Sequence, residues 1–507
     1  MGTACTKGGD VDTGVEGIAF KRGMSQAVTH SDIDIFNNII LLTDSYKVTH
    51  HLQYPPSTEI VYSYFECRGG LYDEVCFFGL QYFLKRYLVG QVVTRAKIDE
   101  AEVYFRQHFS HPIWGYQESL FNKAGWEHIL EQHEGRLPIA IKAVPEGTVL
   151  PWKNVLFTLE NTDPKCFWLT NYLETLLVEV WYPTTVATQG REQKKTILRH
   201  LNETDGADAI AAGSHLFQLT DFGFRATSSV ESAALGGAAH LVNFLGSKNM
   251  AAMMLAKEFY GVPADECAGY SFPDADHAAI TSWGQDKEAE AMKFILEKFP
   301  KGSISCVSDS YDVINACKNW GTDDLKEAVE NREGTLFVRP DSGSLPQTVV
   351  DVLEELKKSY ETTVTNGFRR LPDKIRVMQA DGIDINTLDL VLRATKAKGW
   401  AADNLVFGSG GALLQKLHRD TLKCAFKCSF ARVCGEGIDV VKDPITDPGK
   451  KSKKGRLTLE LQDGTWTTVT EGKGDASKDQ LVEVFRDGKL LVDDRFSAIR
   501  TRSNVGL

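Results

Sequence analysis

Between about Ser214 and Phe430 one unit recurs: a short apolar run, a turn carrying a glycine or a polar residue, then an amphipathic helix. HLFQLTDFGFR leads into SSVESAALGGAAHLV, LVNFLGSKN into MAAMMLAKEFYG, and GYSFPDADH into AAITSWGQDKEAEAMKFILEKF. SISCVSDS leads into YDVINACKNW, TLFVRPDSG into LPQTVVDVLEELKKSY, IRVMQADGID into INTLDLVLRATKAKG, and NLVFGSGG into ALLQKLHRD. A strand of buried type followed by a helix of ten or so residues can return only as a parallel strand through a right-handed crossover. Repeated this often, the unit predicts an α/β fold closed as a (β/α) barrel, with an open doubly wound sheet as the alternative that satisfies the same periodicity.

The flanks follow other rules. Over 38–182, IVYSYFEC and AIKAVPEGTVL alternate like strands while GLQYFLKRYLVG and FWLTNYLETLLVEVW carry helical spacing, which predicts a mixed α+β domain. Residues 183–430 are expected to form the barrel-like α/β domain, and 431–507 are turn-rich and strand-like, expected to pack back on the 38–182 domain and complete it. Residues 1–37 lack either periodicity and read as a flexible tail; their opening MGTACT fits the short pattern for myristoylation at Gly2, with Cys5 as a second lipid site.

Net charge is −11 and the pI about 5.6, which argues against a general electrostatic hold on nucleic acid or an anionic membrane. Phosphates, if bound, must be bound locally. The ten cysteines include no CxxC pair, and no apolar stretch is long enough to span a bilayer, so reduced thiols and a cytoplasmic location are expected.

In barrels and open α/β sheets alike, ligands meet the carboxyl ends of the strands, so the turn of each unit is where chemistry is expected. Arg225, His277, Asp309, Arg339, Asp341, Asp381 and the Gly410–Gly411 pair all fall there. The glycines of FGSGG allow close backbone approach at a helix start, which suits a phosphate, with Arg419 and Lys427 following as cations. Asp341 and Asp381 each follow an apolar strand directly and could hold ribose hydroxyls or a Mg²⁺ ion on pyrophosphate; helix N-capping is the competing role for each. His277 sits between the nearby Asp274 and Asp276 and a helix, where it serves either as a cap or as a nucleophile.

Taken together, LLTDSYKVTHHLQYPPSTEIVYSYFECR, ENTDPKCFWLTNYLETLLVEVWYPTTVAT, REQKK, DFGFR, HLVNF, SDSYD, RPDSG, DGIDINTL, FGSGGALLQKL and KDPITDP followed by KKSKKGRL resemble the nicotinamide phosphoribosyltransferase family from about residue 38 to the low 490s. The resemblance implies a barrel-like domain beside a mixed domain built from both chain ends, in a homodimer with shared active sites. It implies transfer of phosphoribosyl from phosphoribosyl pyrophosphate to nicotinamide, with Mg²⁺ required and ATP coupled through a phosphohistidine. By motif, Phe222 and the partner's copy of Tyr46 would sandwich the pyridine ring, and Arg225 and Arg339 would meet pyrophosphate. Asp341 and Asp381 would hold ribose, and Gly410, Gly411 and Arg419 the nucleotide phosphate. Arg68, Lys427 and Lys442 would add positive charge, partly across the interface. His277 would be the phosphorylated residue, supported by Asp309, and Ser271, Ser305, Pro340, Arg376 and Ala380 would complete the substrate contacts.

One neighbourhood departs from the family pattern. After HLVNF the family carries a GTD turn whose aspartate accepts from the carboxamide of nicotinamide; here the turn is GSKN, with Lys248. Lysine donates and cannot accept, so it suits the carboxylate of nicotinate better. Phe217, Thr220, Phe272 and Asp274 also differ from the usual Tyr, His, Val and Ala. Asp274 could restore the acceptor or neutralise Lys248, or Lys248 could turn to solvent. Nicotinamide is the expected base, nicotinate transfer the first alternative, and a catalytically weak homologue with a binding or signalling role the second; a metal-dependent barrel enzyme such as an aldolase ranks last.

Overall fold

The structure is a computed structural model that describes residues 34–113, 115 and 120–507. The seven expected strands are Leu219–Asp221, Gly246–Ser247, Asp274–Ala275, Ile304–Val307, Leu336–Arg339, Ile375–Gln379 and Leu405–Ser409. Neighbours in sequence pair in parallel, except Gly246–Ser247 with Asp274–Ala275, and Leu405–Ser409 returns to pair with Leu219–Asp221. The circuit is completed by the short segment from Tyr270 to Ala275. At its start Tyr270 bridges Gly246 in parallel, with its N–H on the Leu245 carbonyl at 2.7 Å and its carbonyl taking the Ser247 N–H at 3.0 Å; at its end Asp274 and Ala275 pair with Ser305 and Cys306. The sheet is therefore closed, and the open alternative is overturned. The reason lies in SFP: a six-residue segment spans from one edge strand to the other where an open sheet would leave two edges.

The second large sheet is antiparallel and draws on both ends of the chain. Its order is Glu436–Asp439, Cys424–Val433, Thr58–Cys67, Val155–Asn161, Ile139–Ala143, Val482–Arg486 and Lys489–Leu490. The chain enters this sheet at Cys424, inside the segment assigned above to the barrel. The junction is held by the 24-residue helix Trp181–Thr204, which packs on the helices Val230–Leu241 and Ile385–Ala397 and on the strand Glu74–Cys76. That position explains its buried cations: Arg191 donates to the Ser503 and Val505 carbonyls, and Lys194 to Asn504 Oδ1 at 2.6 Å.

Two expectations about local structure are corrected. The helix after FGSGG is one turn, Gly411–Leu414, because Gln415 leaves helical geometry and the chain passes into a short 3₁₀ turn at Arg419–Thr421. The long helix after His277 is broken at Gly284 (φ +86°) into His277–Thr281 and Glu288–Lys298. No described helix is long and apolar enough to cross a membrane. Residues 1–33 of the tail, with the lipidation pattern at Gly2 and Cys5, lie outside the described residues.

Candidate active site

A cavity of about 830 Å³ opens at the carboxyl ends of the barrel strands. Phe222, Arg225, Lys248, Asp274, His277, Arg339, Asp341, Ala380, Asp381, Gly410 and Gly411 line it. Most of the rim read from the sequence therefore converges on one space.

Its floor is an ion network. Arg339, only 7% exposed, donates from Nη1 to Asp274 Oδ1 at 2.7 Å and from Nη2 to the Ala275 carbonyl at 3.1 Å, and its Nε lies 3.9 Å from Asp341. Lys248 does not face solvent. Its ammonium donates to the Phe272 carbonyl at 2.7 Å, lies 3.6 Å from the other oxygen of Asp274, and stands over the Phe272 ring, 4.1 Å from its centroid. Asp274 thus bridges two cations. Burial pulls the Lys248 ammonium below the usual lysine range; Asp274 opposes this and Arg339 reinforces it. Phe272 is held flat against Phe337, centroids 5.1 Å apart at 13°.

Asp221, the first residue of DFGFR, was not among the candidates, yet it sets the geometry of this wall. Fully buried, it accepts the Gly223 N–H at 2.6 Å and the Asn249 amide at 3.0 Å, while its carbonyl takes the Lys248 N–H at 2.8 Å. The turn bearing Phe222 and Arg225 is thereby tied to the turn bearing Lys248. Burial pushes the Asp221 carboxyl up to about 6 against those two hydrogen bonds.

Three residues beyond Asp274, His277 opens its helix, capped by Asp276, whose Oδ1 takes the His277 N–H at 2.7 Å. The ring is 41% exposed and its Nε2 lies 3.1 Å from Oδ1 of Asp309, which is itself only 4% exposed. Asp341 of RPDSG and Asp381 of QADGID are not caps. The helix after Asp341 has no side-chain cap, and the helix after Asp381 is capped by Asp384 through a capping box with Thr387. Both carboxylates are left to face the cavity. Burial raises the Asp341 carboxyl above the usual range; Arg339 and His277 lower it, and Asp309 and Asp381 add to the rise.

Other expected residues lie elsewhere. Arg376 stands at the amino end of its strand, roughly 13 Å of extended chain from Ala380, with its guanidinium on the Leu371, Pro372, Ile375 and Asp403 carbonyls. It braces the barrel bottom and does not line the cavity. Arg419 is exposed beyond the shortened helix, 3.8 Å from Asp420, and Lys416 takes its place on the cavity wall. Ser305 is buried beside Asp274 in register, with no hydrogen-bond partner for its hydroxyl. Ser271 is exposed with its hydroxyl on the Phe272 carbonyl, and Pro340 is buried between Arg339 and Asp341; neither lines the cavity.

Tyr46, 57% exposed, and Arg68, Lys427 and Lys442 belong to the mixed domain and do not line this chain's own cavity. The last three cluster: burial pulls the Lys427 ammonium down, and although Glu174 opposes this, Arg68, Lys442 and Lys47 add to the fall.

A closed parallel barrel with cations, carboxylates and a glycine turn at its carboxyl rim is the architecture of enzymes that handle phosphorylated sugars. The model described as the nicotinate phosphoribosyltransferase family matches residues 217–489, and that described as the nicotinamide phosphoribosyltransferase N-terminal domain matches residues 38–141. The chain belongs to the nicotinate phosphoribosyltransferase family and is a pentosyltransferase. Within that family it is 44% identical over 479 residues to the nicotinamide phosphoribosyltransferase of Xanthomonas campestris pv. campestris (strain 8004), covering 92% of this chain and 98% of that protein. It is 30% identical over 499 residues to the nicotinamide phosphoribosyltransferase of Acinetobacter baylyi, covering 90% and 95%. Among solved structures it is similar to a nicotinate-nucleotide pyrophosphorylase from Pyrococcus furiosus, with a TM-score of 0.57 over 94% of this chain and 97% of that one. At 15% identity that likeness shows the fold alone.

Proposed function

We propose that the chain transfers the phosphoribosyl group of phosphoribosyl pyrophosphate to nicotinamide, giving nicotinamide mononucleotide and pyrophosphate. The observation that carries the choice of base is the state of Lys248. Its charge is already met by Asp274 and the Phe272 carbonyl, so a nicotinate carboxylate would have to displace an existing partner. A neutral carboxamide does not, and its NH₂ can donate to the lone pairs of Asp274 that remain. The names of the 44% and 30% identical relatives agree with this reading.

In the reaction the pyridine nitrogen attacks the anomeric carbon while the bond to pyrophosphate breaks, so no general base is needed. Positive charge develops on the ribose and negative charge on the leaving group. Asp341 and Asp381 face the first; Arg225, Arg339 and Lys416 face the second. Among the described residues the rim carboxylates form no three-ligand cluster, which suits Mg²⁺ held by one or two carboxylates and the diphosphate itself. There Mg²⁺ would neutralise the departing charge. His277 is the residue we assign to ATP-stimulated phosphorylation: with Nε2–H donating to Asp309, Nδ1 keeps the free lone pair that accepts the phosphoryl group. The remote cluster of Arg68, Lys427 and Lys442, with exposed Tyr46, fits a homodimer in which these residues complete the partner's site.

The test is kcat/KM for nicotinamide and nicotinate on purified protein with phosphoribosyl pyrophosphate and Mg²⁺. Preference for nicotinamide is expected. A large preference for nicotinate overturns the base assignment, and no mononucleotide with either base overturns the enzyme.

A further inference from the structure

A second constellation of chemically capable side chains lies in the mixed domain, and none of its members lines the cavity. His128 sits in the helix Lys123–Gln132 and His133 is that helix's C-cap; Asp163 caps, and Cys166 ends, the 3₁₀ turn Pro164–Cys166 that follows the strand Val155–Asn161. One donor atom from each of the four lies within 4.8 Å of all the others. Nε2 of His128 and Nε2 of His133 are each 2.7 Å from the same oxygen, Oδ2 of Asp163. Cys166 is fully buried, and the two imidazoles and the carboxylate are largely buried, at 19%, 26% and 19% exposure.

The sequence builds this convergence by two local devices. Five residues along a continuous α-helix turn by roughly 500°, which would set the two histidines about 140° apart. The helix instead stops at Gln132, and His133, at φ −117° and ψ 14°, folds its ring back towards His128, centroids 5.7 Å apart. In DPKC the 3₁₀ turn, with about three residues per turn, stacks position i+3 over position i and so brings Cys166 over Asp163.

An ion pair alone accounts for the histidines and the aspartate but gives the thiol no part. Two imidazole nitrogens, one carboxylate oxygen and one sulfur are the donor types of a closed tetrahedral zinc site, and H-x₄-H with D-x₂-C has the paired spacing of such sites. Tetrahedral bonds of about 2.0–2.3 Å place ligand atoms roughly 3.3–3.8 Å apart, so the widest pair needs to close by about 1 Å. Nitrogen and sulfur donors also select against Mg²⁺. We propose that His128, His133, Asp163 and Cys166 bind one Zn²⁺ as a structural site that fastens the Lys123–Gln132 helix to the DPKC turn. Binding releases the thiol proton to solvent, and each imidazole gives up the Nε2 proton it shares with Asp163 while carrying its one N–H on Nδ1.

The test uses the untagged full chain, freed of metal by chelator dialysis and titrated with ZnCl₂ and, separately, CoCl₂. About one equivalent per chain is expected, with tetrahedral Co²⁺ absorption, a near-ultraviolet thiolate-to-cobalt band, and a Tm that rises with Zn²⁺. Cys166→Ser is expected to keep the visible cobalt bands and lose the thiolate band; His133→Ala loses the stoichiometric binding and the Tm response. His128→Gln, with near-ultraviolet circular dichroism as the folding control, repeats the test should His133→Ala not fold. No metal bound by the wild type overturns the proposal, as does binding that Cys166→Ser and the histidine variants leave unchanged, since other groups would then be the ligands.

Discussion

The sharpest perturbation of the proposed base preference is Asp274→Asn. It removes the one carboxylate that bridges Lys248, at 3.6 Å, and Arg339, at 2.7 Å, all three side chains being less than one-fifth exposed. Lys248 is then left facing the cavity without a counter-charge, while Arg339 keeps only Asp341, 3.9 Å from its Nε, and the carboxylate of nicotinate can take the vacated role while nicotinamide cannot. At 3.6 Å and an effective dielectric constant of about 20, one such charge pair is worth about 4–5 kcal/mol. Dehydrating the incoming carboxylate takes back roughly half, leaving about 2 kcal/mol, or a roughly 30-fold shift of the kcat/KM ratio towards nicotinate. Damage to the positioning of Arg339 slows both bases alike and cancels in the ratio. The assay is steady-state mononucleotide formation with each base, wild type against variant. A ratio that stays put, or moves towards nicotinamide, refutes the claim that Asp274 neutralises Lys248.

Further predictions follow from single contacts. A Cβ at Gly408 would stand 2.9 Å from two ring carbons of Phe222 and 3.1 Å from the Ala380 Cβ, so Gly408→Ala should push the ring out of place and raise KM for the base by about tenfold, at an overpacking cost of about 1–3 kcal/mol; an unchanged KM means that Phe222 does not contact the base. His277→Asn should abolish ATP stimulation and acid-labile phosphate while leaving slow ATP-independent transfer, and persistence of the acid-labile phosphate would place it on another residue. Lys416→Ala should raise KM for phosphoribosyl pyrophosphate more than Arg419→Ala does, because Lys416 lines the cavity; the reverse order means that the chain beyond Leu414 rearranges on binding. For Asp221 the folded carboxyl titrates near 6 and the unfolded one near 3.8, so its contribution to stability is fully present below about 4 and lost as pH rises through 6, by about 3 kcal/mol. Urea unfolding of Asp221→Asn from pH 4 to 7 should therefore gain on the wild type as pH rises; parallel curves would show that the carboxyl is not shifted.

What the sequence made legible was whatever rests on periodicity or on a turn between a strand and a helix. The seven units and the rim from Arg225 to Gly411 were read directly because strand ends are where such residues must lie. Closure was not, since it depends on Tyr270 to Ala275 serving both edges of the sheet through one bridge and a two-residue strand. Arg376 misled for the opposite reason: it is four positions before Ala380 in an apolar strand, and position along a strand, not proximity to a motif, decides which end a side chain serves. Lys416 was passed over because ALLQKLHRD has helical spacing, and only three dimensions reveal that the helix stops after one turn. Asp221 had a signal, as the acid of DFGFR, but an aspartate at a strand end is ambiguous between facing a ligand and tying two turns together. The capping role that competed for Asp341 and Asp381 could be settled only by seeing Asp384 take it for one helix and no side chain take it for the other.

The central claim is tested most directly by incubating the purified protein with nicotinamide, phosphoribosyl pyrophosphate and Mg²⁺ and following both products together by chromatography and a pyrophosphate assay. Equimolar nicotinamide mononucleotide and pyrophosphate, both strongly reduced in Arg339→Ala, are predicted. Pyrophosphate released without mononucleotide, or product formation indifferent to Arg339→Ala, would contradict the account.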